Sequence, residues 1–326
     1  MFSVLVSAYQ TEAFIAEMVR SVIAQGRDDW ELVVVDNGSP DALAEVVTSC
    51  TDDPRIRLVR LPTNIGVSAA RNVAARHARG KIFCVIDSDD ALVPEYLNQI
   101  AAAYTAHPEA GLVGCRPARI DAHGRSLPQP PGVPRPITWD EREPVLLHLL
   151  RGPFDYHGAA ITRNAFETVG GYREELTIGE DADLWIRIVA SGHHVRAIEA
   201  PLYRYRIHSK SITANPDNAI TVAAGQLATL QALASSLPMT PTRRAALDAN
   251  ERRTRNAMSL AQMRQAVRNG DAPLARRESR RVATGKPSIR NIAVMTILTL
   301  PWPLVRLVYR ATGRGDLINQ TKAPRR

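Results

Sequence analysis

The chain has 326 residues, 45% hydrophobic and 23% charged, an ordinary globular composition long enough for one large domain or two modest ones. Three scattered cysteines, Cys50, Cys84 and Cys115, exclude a disulfide framework or a thiolate metal centre and fit a reducing compartment. The net charge of +8 is unevenly spread: residues 241–326 hold 19 Lys+Arg against 5 Asp+Glu, leaving 22 basic and 28 acidic residues in 1–240. These are two electrostatically different parts.

Phe2–Ala8 reads as a short apolar strand, and with Arg20 the first basic residue no secretory leader is expected. Glu12–Ala24 places Phe14, Ile15, Met18, Val19, Val22 and Ile23 at helical spacing. Trp30–Asp36 is a second buried strand, broken sharply by Asn37-Gly38-Ser39-Pro40. A helix from Asp41 to about Cys50, a strand Ile56–Arg60, a helix opened by Asn64-Ile65-Gly66 and running to His77, and a strand Lys81–Ile86 follow. Strands and helices alternating through short connections predict a doubly wound α/β fold with a mostly parallel sheet. Pro94–Ala106 reads as a helix and Ala110–Arg119 as a strand. Asp121–Pro136, with five prolines and two glycines, is expected to be a loop or flap. A helix near Glu143–Leu150, a strand His157–Thr162 and a helix Arg163–Val169 stopped by Gly170-Gly171 come next. A helix ending at Gly192 and two strands, Val195–Glu199 and Leu202–Ile207, complete this part.

Two acidic clusters carry the chemistry. In the first, the apolar run Ile82–Ile86 leads directly into Asp87, Asp89 and Asp90. A strand of this kind places its acids at the carboxyl edge of the sheet, where open α/β sheets hold ligands. Clustered carboxylates are costly unless a cation or water holds them, and Mg²⁺ takes one or two carboxylates together with substrate phosphates. A metal–diphosphate site is one reading, and a plain acidic turn and helix cap before Pro94 is the other. In the second cluster, Glu180, Asp181 and Asp183 stand at the start of a helix, where the helix dipole accounts for one or two acids but not readily for three. Arg206, His208 and Lys210 alternate, and could line one strand face suited to phosphate.

Four blocks, SVLVSAYQTEAFIAEMVRSV, WELVVVDNGSPD, NIGVSAARNVAARHARGKIFCVIDSDD and GGYREEL…GEDADLWIRI, with a weaker YRYRIHSKSIT, together resemble the inverting glycosyltransferases of family 2. The resemblance covers residues 1–213 and implies a GT-A fold, a Rossmann-like mostly parallel sheet flanked by helices, acting on a nucleotide-sugar. It implies that Ala8, Tyr9 and Glu12 border the base, that Asp36 accepts a hydrogen bond from a uracil-like imide, and that Asn64, Gly66 and Arg71 face the nucleotide. Asp87 would hold the ribose, with Ser88 also at the nucleotide-sugar, and Asp89 with His208 would bind Mg²⁺ or Mn²⁺, while His208 and Arg206 approach the diphosphate. Asp181 would be the general base, supported by Glu180 and Asp183, which could instead touch the acceptor; Trp185 would pack beneath that loop. The sequence departs at Asn37, where many relatives have Asp, and it lacks the Gln-x-x-Arg-Trp motif of processive members, which favours single transfer.

Residues 214–326 are expected to be a basic helical region, with helices over Pro216–Leu237 and Thr242–Asn269. Within it Ile292–Val305 is strongly apolar, flanked by Lys286, Arg290, Arg306 and Arg310 and interrupted by Pro301 and Pro303. It is short for a bilayer span of about 20 residues, so 288–311 is expected either to lie in a membrane interface or to pack on the catalytic domain. Nucleic-acid binding has no recognisable motif here and is not expected. The expected acceptor is a carbohydrate or lipid-linked hydroxyl, and the expected location is cytoplasmic, on the inner face of the cell membrane. A sugar-nucleotide pyrophosphorylase would need a Gly-rich, Lys-containing N-terminal signature that is missing. A catalytically silent nucleotide-sugar-binding or scaffolding protein would be marked by loss of Asp36, Asp87, Asp89 or Asp181, all of which are present.

Overall fold

A computed structural model describes residues 1–129, 142–152, 157–213, 215–283 and 303–305. In chain order the elements are β1 (Phe2–Ala8), α1 (Glu12–Ile23), β2 (Trp30–Asp36), α2 (Leu43–Cys50), β3 (Ile56–Arg60), α3 (Val67–His77), β4 (Ile82–Val85), β5 (Ala91–Leu92) and α4 (Tyr96–Ala106). There follow β6 (Ala110–Asp121), α5 (Arg142–Arg151), β7 (His157–Thr162), α6 (Arg163–Thr168), α7 (Glu180–Ala190), β8 (His194–Ile207), α8 (Ala219–Ser236), α9 (Pro241–Asn269) and α10 (Ala272–Ala283). The strands form one mixed sheet in the order β3-β2-β1-β4-β7-β6-β8-β5. Pairs β1–β2, β1–β4, β2–β3 and β6–β8 are parallel, whereas β7 runs antiparallel to both its neighbours, and β5 to β8.

Because side chains alternate along a strand, the central strands feed two cores. Leu5, Val33, Val35 and Phe83 meet Ala70 and Ala74 of α3, Leu146 and Leu149 of α5, and Leu184 and Ile188 of α7 on one face. Val4, Val6, Leu32, Val34 and Cys84 meet Ile15, Met18, Val19 and Val22 of α1, Leu43 of α2 and Leu97 of α4 on the other. α3 owes its position to small side chains: VSAARNVAARH buries every residue from Ser68 to Ala75, which draws its backbone close to the sheet and carries the polar Arg71 inward.

Four strands lie where their apolar runs place them, Phe2–Ala8, Trp30–Asp36, Ile56–Arg60 and His157–Thr162. The two expected strands Val195–Glu199 and Leu202–Ile207 are one, β8. Its register against β6 slips from Cys115↔Ile198 to Arg116↔Pro201 and Pro117↔Tyr203, a bulge that pushes Glu199, Ala200 and Pro201 out to solvent. Of the predicted loop 121–136, residues Asp121–Arg125 form a tight turn, and 130–136 lie outside the described residues.

The chain divides into two compact units, Met1–Ala214 with Ala228–Leu247, and Asn215–Leu227 with the residues from Asp248 on. The stretch Ala228–Leu247 rejoins the first unit, where Leu230, Leu233, Ala246 and Leu247 complete the α7-side core. In the second, Met263, Ala266 and Val267 of α9 pack with Ala275 of α10 and Val305. Of the predicted segment 288–311, residues 288–302 and 306–311 lie outside the described residues. Among the described residues no helix is long and apolar enough to cross a membrane.

Candidate active site

Ala8 pairs with Asp36 in parallel register, and β4 runs parallel to β1 from Phe2↔Ile82 to Leu5↔Val85. The carboxyl ends of three adjacent strands therefore open on one edge, as the sequence implies. Ala8 is buried and Tyr9 is 40% exposed. Glu12 is committed to the scaffold: its Oε2 accepts from the Ala42 amide (2.9 Å) while its own amide donates to Asp41 (3.2 Å), fastening the loop after β1 to the loop after β2. Asp36 is buried, with Oδ1 accepting from the Ser39 amide (2.8 Å) and Oδ2 3.3 Å from Arg60 Nε.

Asn37 has a structural reason for being an amide. Its Nδ2 donates to Asn64 Oδ1 and to the Gly66 carbonyl (both 3.2 Å), while its Oδ1 accepts from the Ile65 amide (2.9 Å). Asp at this position could not donate. Asn64 Oδ1 also accepts from the Gly66 amide (2.9 Å), so the turn that opens α3 is set by two asparagines. Gly38 lies under this turn at φ +67°, where a Cβ would come 2.3 Å from the Thr63 carbonyl carbon.

Exposure alternates through the first acidic cluster: Asp87 and Asp89 face the cleft, whereas Ser88 and Asp90 are buried. Ser88 Oγ accepts from the Thr11 hydroxyl (2.9 Å), and the Asp87 amide donates to the Tyr203 hydroxyl (3.1 Å). Asp90 Oδ1 accepts from the Arg206 amide (2.7 Å). Burial, with Asp89 and Asp87 close by, holds its carboxyl well above the usual range, which favours its neutral form. Oxygens of Asp87, Asp89 and Asp90 all lie within 4.8 Å of one another. This crowded, all-oxygen donor set fits a hard divalent cation.

His208 Nε2 lies 2.8 Å from Asp89 Oδ2, and the ring lies against that of Phe14, tilted by 37° with centroids 4.6 Å apart. The Lys210 amide donates to His208 Nδ1 (3.2 Å), so Nε2 carries the hydrogen that Asp89 accepts. Ligation through Nε2 would require that hydrogen to move. The expectation that Arg206, His208 and Lys210 share one face is corrected: β8 ends at Ile207, Lys210 is exposed, and Arg206 is only 1% exposed. Its guanidinium donates to the Asp89 carbonyl (2.6 Å), the Asp121 carbonyl (3.2 Å) and Glu17 Oε2 (2.6 Å). Arg206 therefore props the acidic turn from behind, and does not reach toward a diphosphate.

The second cluster meets the first through Arg71. Its guanidinium, 4% exposed, donates through Nη2 to Asp87 (2.6 Å) and through Nη1 to Glu180 (2.7 Å) and Asp181 (3.0 Å). Arg71 thus joins the strand-end acids to the helix-start acids. Glu180, 12% exposed, is pushed up to about 7 by burial and then by Asp181, whereas Asp181 is 35% exposed. Asp183 is fully buried between Arg173 (2.8 Å) and Arg187 (2.7 Å); it anchors α7 and cannot touch an acceptor. Trp185 is buried in the core beneath. Two neighbours escaped the sequence reading: Glu17, whose Arg206 partner is 189 residues away, and Tyr172, whose hydroxyl donates to Asp181 Oδ1 (3.0 Å).

Residues 3–170 match the family model for glycosyl transferase family 2. The chain belongs to that family. It is 29% identical over 231 residues to the putative glycosyltransferase EpsE of Bacillus subtilis (strain 168), covering 68% of this chain and 80% of EpsE. It is 26% identical to the amylovoran biosynthesis glycosyltransferase AmsE of Erwinia amylovora, covering 65% and 78%. Among solved structures, TarS 1-349 of S. aureus in complex with UDP-GlcNAc shares the fold at TM-score 0.59 and 18% identity, over 95% of this chain and 92% of that one. The mannosyltransferase PcManGT of Pyrobaculum calidifontis, in complex with GDP-Man and Mn²⁺, does so at TM-score 0.60 and 20% identity, over 95% and 86%.

Proposed function

We propose that this glycosyltransferase moves one sugar from a nucleotide-sugar, a UDP-sugar in the first instance, to a hydroxyl of a carbohydrate or lipid-linked acceptor. The transfer would depend on Mg²⁺ or Mn²⁺ and proceed with inversion. The observation that carries this reading is the Arg71 bridge, which sets a metal-competent acid cluster and a separate, partly exposed carboxylate on two sides of one buried guanidinium. The nucleotide-sugars and Mn²⁺ bound by TarS and PcManGT support the donor class and the ion, and the biosynthetic role in AmsE's name supports bacterial surface polysaccharide or glycolipid assembly.

On this reading Ala8, Tyr9 and Asp36 border the base, Asn64 and Gly66 face the nucleotide, and Asp87 meets the ribose, while Ser88, buried against Thr11, holds the turn behind it. Asp89 is the principal metal ligand, with His208 beside it. A bound divalent ion would supply charge neutralisation at the leaving diphosphate oxygen. Asp181 removes the acceptor's hydroxyl proton as the new glycosidic bond forms, a contribution of about 10²–10⁴ in rate. Glu180, kept partly neutral near pH 7, limits the negative charge beside it. One displacement needs only one such base, and gives inversion. The basic region 214–326, with 288–311, would hold the enzyme on the cytoplasmic face of the membrane, where anionic headgroups attract Lys and Arg.

The test is a titration of purified protein with UDP-, dTDP- and GDP-sugars in Mn²⁺ and again in EDTA. The expected result is binding of one nucleotide-sugar that EDTA abolishes. A folded protein that binds none of them would overturn the reading in favour of a silent scaffold.

A further inference from the structure

We propose that Tyr172 and Arg71 are positioning residues that hold Asp181 by one oxygen, Oδ1, and so assign proton removal to the other, Oδ2. The inference rests on the reading of Asp181 as the base and deepens it. Both the Tyr172 hydroxyl and Arg71 Nη1 donate to Oδ1, each at 3.0 Å. Oδ2 has no hydrogen-bond partner among the described residues, and the side chain is 35% exposed. An acceptor hydroxyl arriving from the cleft therefore meets a lone pair that no protein donor occupies.

Tyr172 is itself held tightly. Its amide donates to Asn72 Oδ1 (2.9 Å) and its carbonyl accepts from Asn72 Nδ2 (2.8 Å). Its ring lies edge-on to Phe166 at 5.9 Å, with the Arg71 guanidinium 5.3 Å from its centroid. Gly171 before it sits at φ +71°, where a Cβ would come 2.8 Å from Asn72 Oδ1, so the turn that aims the phenol requires glycine. Burial, and then Asp181, holds the phenol well above its ordinary value, so it remains an O–H donor. The other charged groups facing Asp181 are Arg71 from α3, Glu180 beside it on α7, and Asp87 across Arg71.

The step balances simply. The acceptor O–H bond breaks, its proton passes to Oδ2, the oxygen's electron pair forms the bond to the anomeric carbon, and the nucleoside diphosphate leaves with the electrons of the bond it loses. The test uses the whole chain with the donor found in the titration above and water as acceptor, reading nucleoside diphosphate release over a range of donor concentrations so that kcat and KM separate, with Asp181→Asn as control. Tyr172→Phe keeps the ring and removes only the donor. Turnover is expected to fall about ten-fold, the scale of one hydrogen bond to a charged group. Donor affinity stays unchanged, so the loss falls on kcat and leaves the donor KM where it was. Normal kcat in Tyr172→Phe, or a fall explained wholly by a raised donor KM, with Asp181→Asn inactive, would overturn this inference alone. Full turnover in Asp181→Asn would overturn the base reading beneath it. Tyr172→Leu, which removes ring and hydroxyl together, serves as a second variant: lost turnover with wild-type donor affinity agrees with positioning, and wild-type turnover contradicts it.

Discussion

The two acidic clusters look alike in sequence, three acids within four positions, yet each folds into two acids at the cleft and one turned inward. Past the end of β4, a turn closed by the Asp90 amide on the Asp87 carbonyl leaves Asp87 and Asp89 out and Asp90 in. At the helix start, the first turn shows Asp181 to the cleft, and Asp183 points back into the core. The inward acids then differ. Burial raises both carboxyls, but Arg187 and Arg173 oppose the rise at Asp183, whereas Asp89 and Asp87 add to it at Asp90. One buried acid is an ion-paired anchor and the other tends toward the neutral form. Counting carboxylates thus overstates the charge either cluster offers to a substrate.

Variants can break or sharpen this comparison. Asp89→Ala should have the largest effect, weakening Mn²⁺-dependent donor binding at least about 100-fold, since even outer-shell partners of a metal cost that much at the upper end; calorimetry showing unchanged metal affinity would remove Asp89 from the site. Asp183→Asn should cost about 3–5 kcal/mol by stranding the buried charge of Arg187, read by urea denaturation, and a wild-type midpoint would show that the arginines find other partners.

A smaller effect should appear in the pH dependence of Glu180→Gln. Below its ordinary value of 4.5 the wild-type carboxyl is neutral in both folded and unfolded chains. As pH rises from 4.5 to about 7 the unfolded chain ionises first, so the wild type loses stability relative to Glu180→Gln, and the gap stops growing above about 7. Melting curves at several pH values measure it; a gap that shrinks with pH would mean Arg71 dominates. The least effect is expected from Asp90→Asn, which keeps an Oδ1 acceptor for the Arg206 amide and should leave the Tm near wild type. A large fall would mark Asp90 as a charged partner like Asp183.

Much of this was legible in the sequence because apolar runs bounded by turn residues define buried strands. β5 escaped because two residues, Ala91 and Leu92, carry no period, and α10 went unread although its arginines and its few apolar residues fall on different faces. Asp87 and Asp181 share Arg71 and Asp89 lies within 4.8 Å of Asp87, while Asp36 stands at the end of β2, two strands away from β4. The roles of Arg71, Arg206, Asp183 and Tyr172 did not follow from spacing. A buried arginine is explained by its partners, and those are distant: Arg71 meets acids 109 and 110 residues away. Alternation along β8 suggested that Arg206 and His208 act together, but the strand ends between them, and after that point the period of two no longer applies.

The most direct test of the division of labour is made on one preparation of Asp181→Asn, measuring donor affinity with Mn²⁺ and sugar transfer side by side. The account predicts donor affinity within about two-fold of wild type, with turnover lower by at least about 10². Turnover near wild type, or donor binding lost along with it, would contradict the claim that Asp87 and Asp89 serve the donor while Asp181 takes the proton.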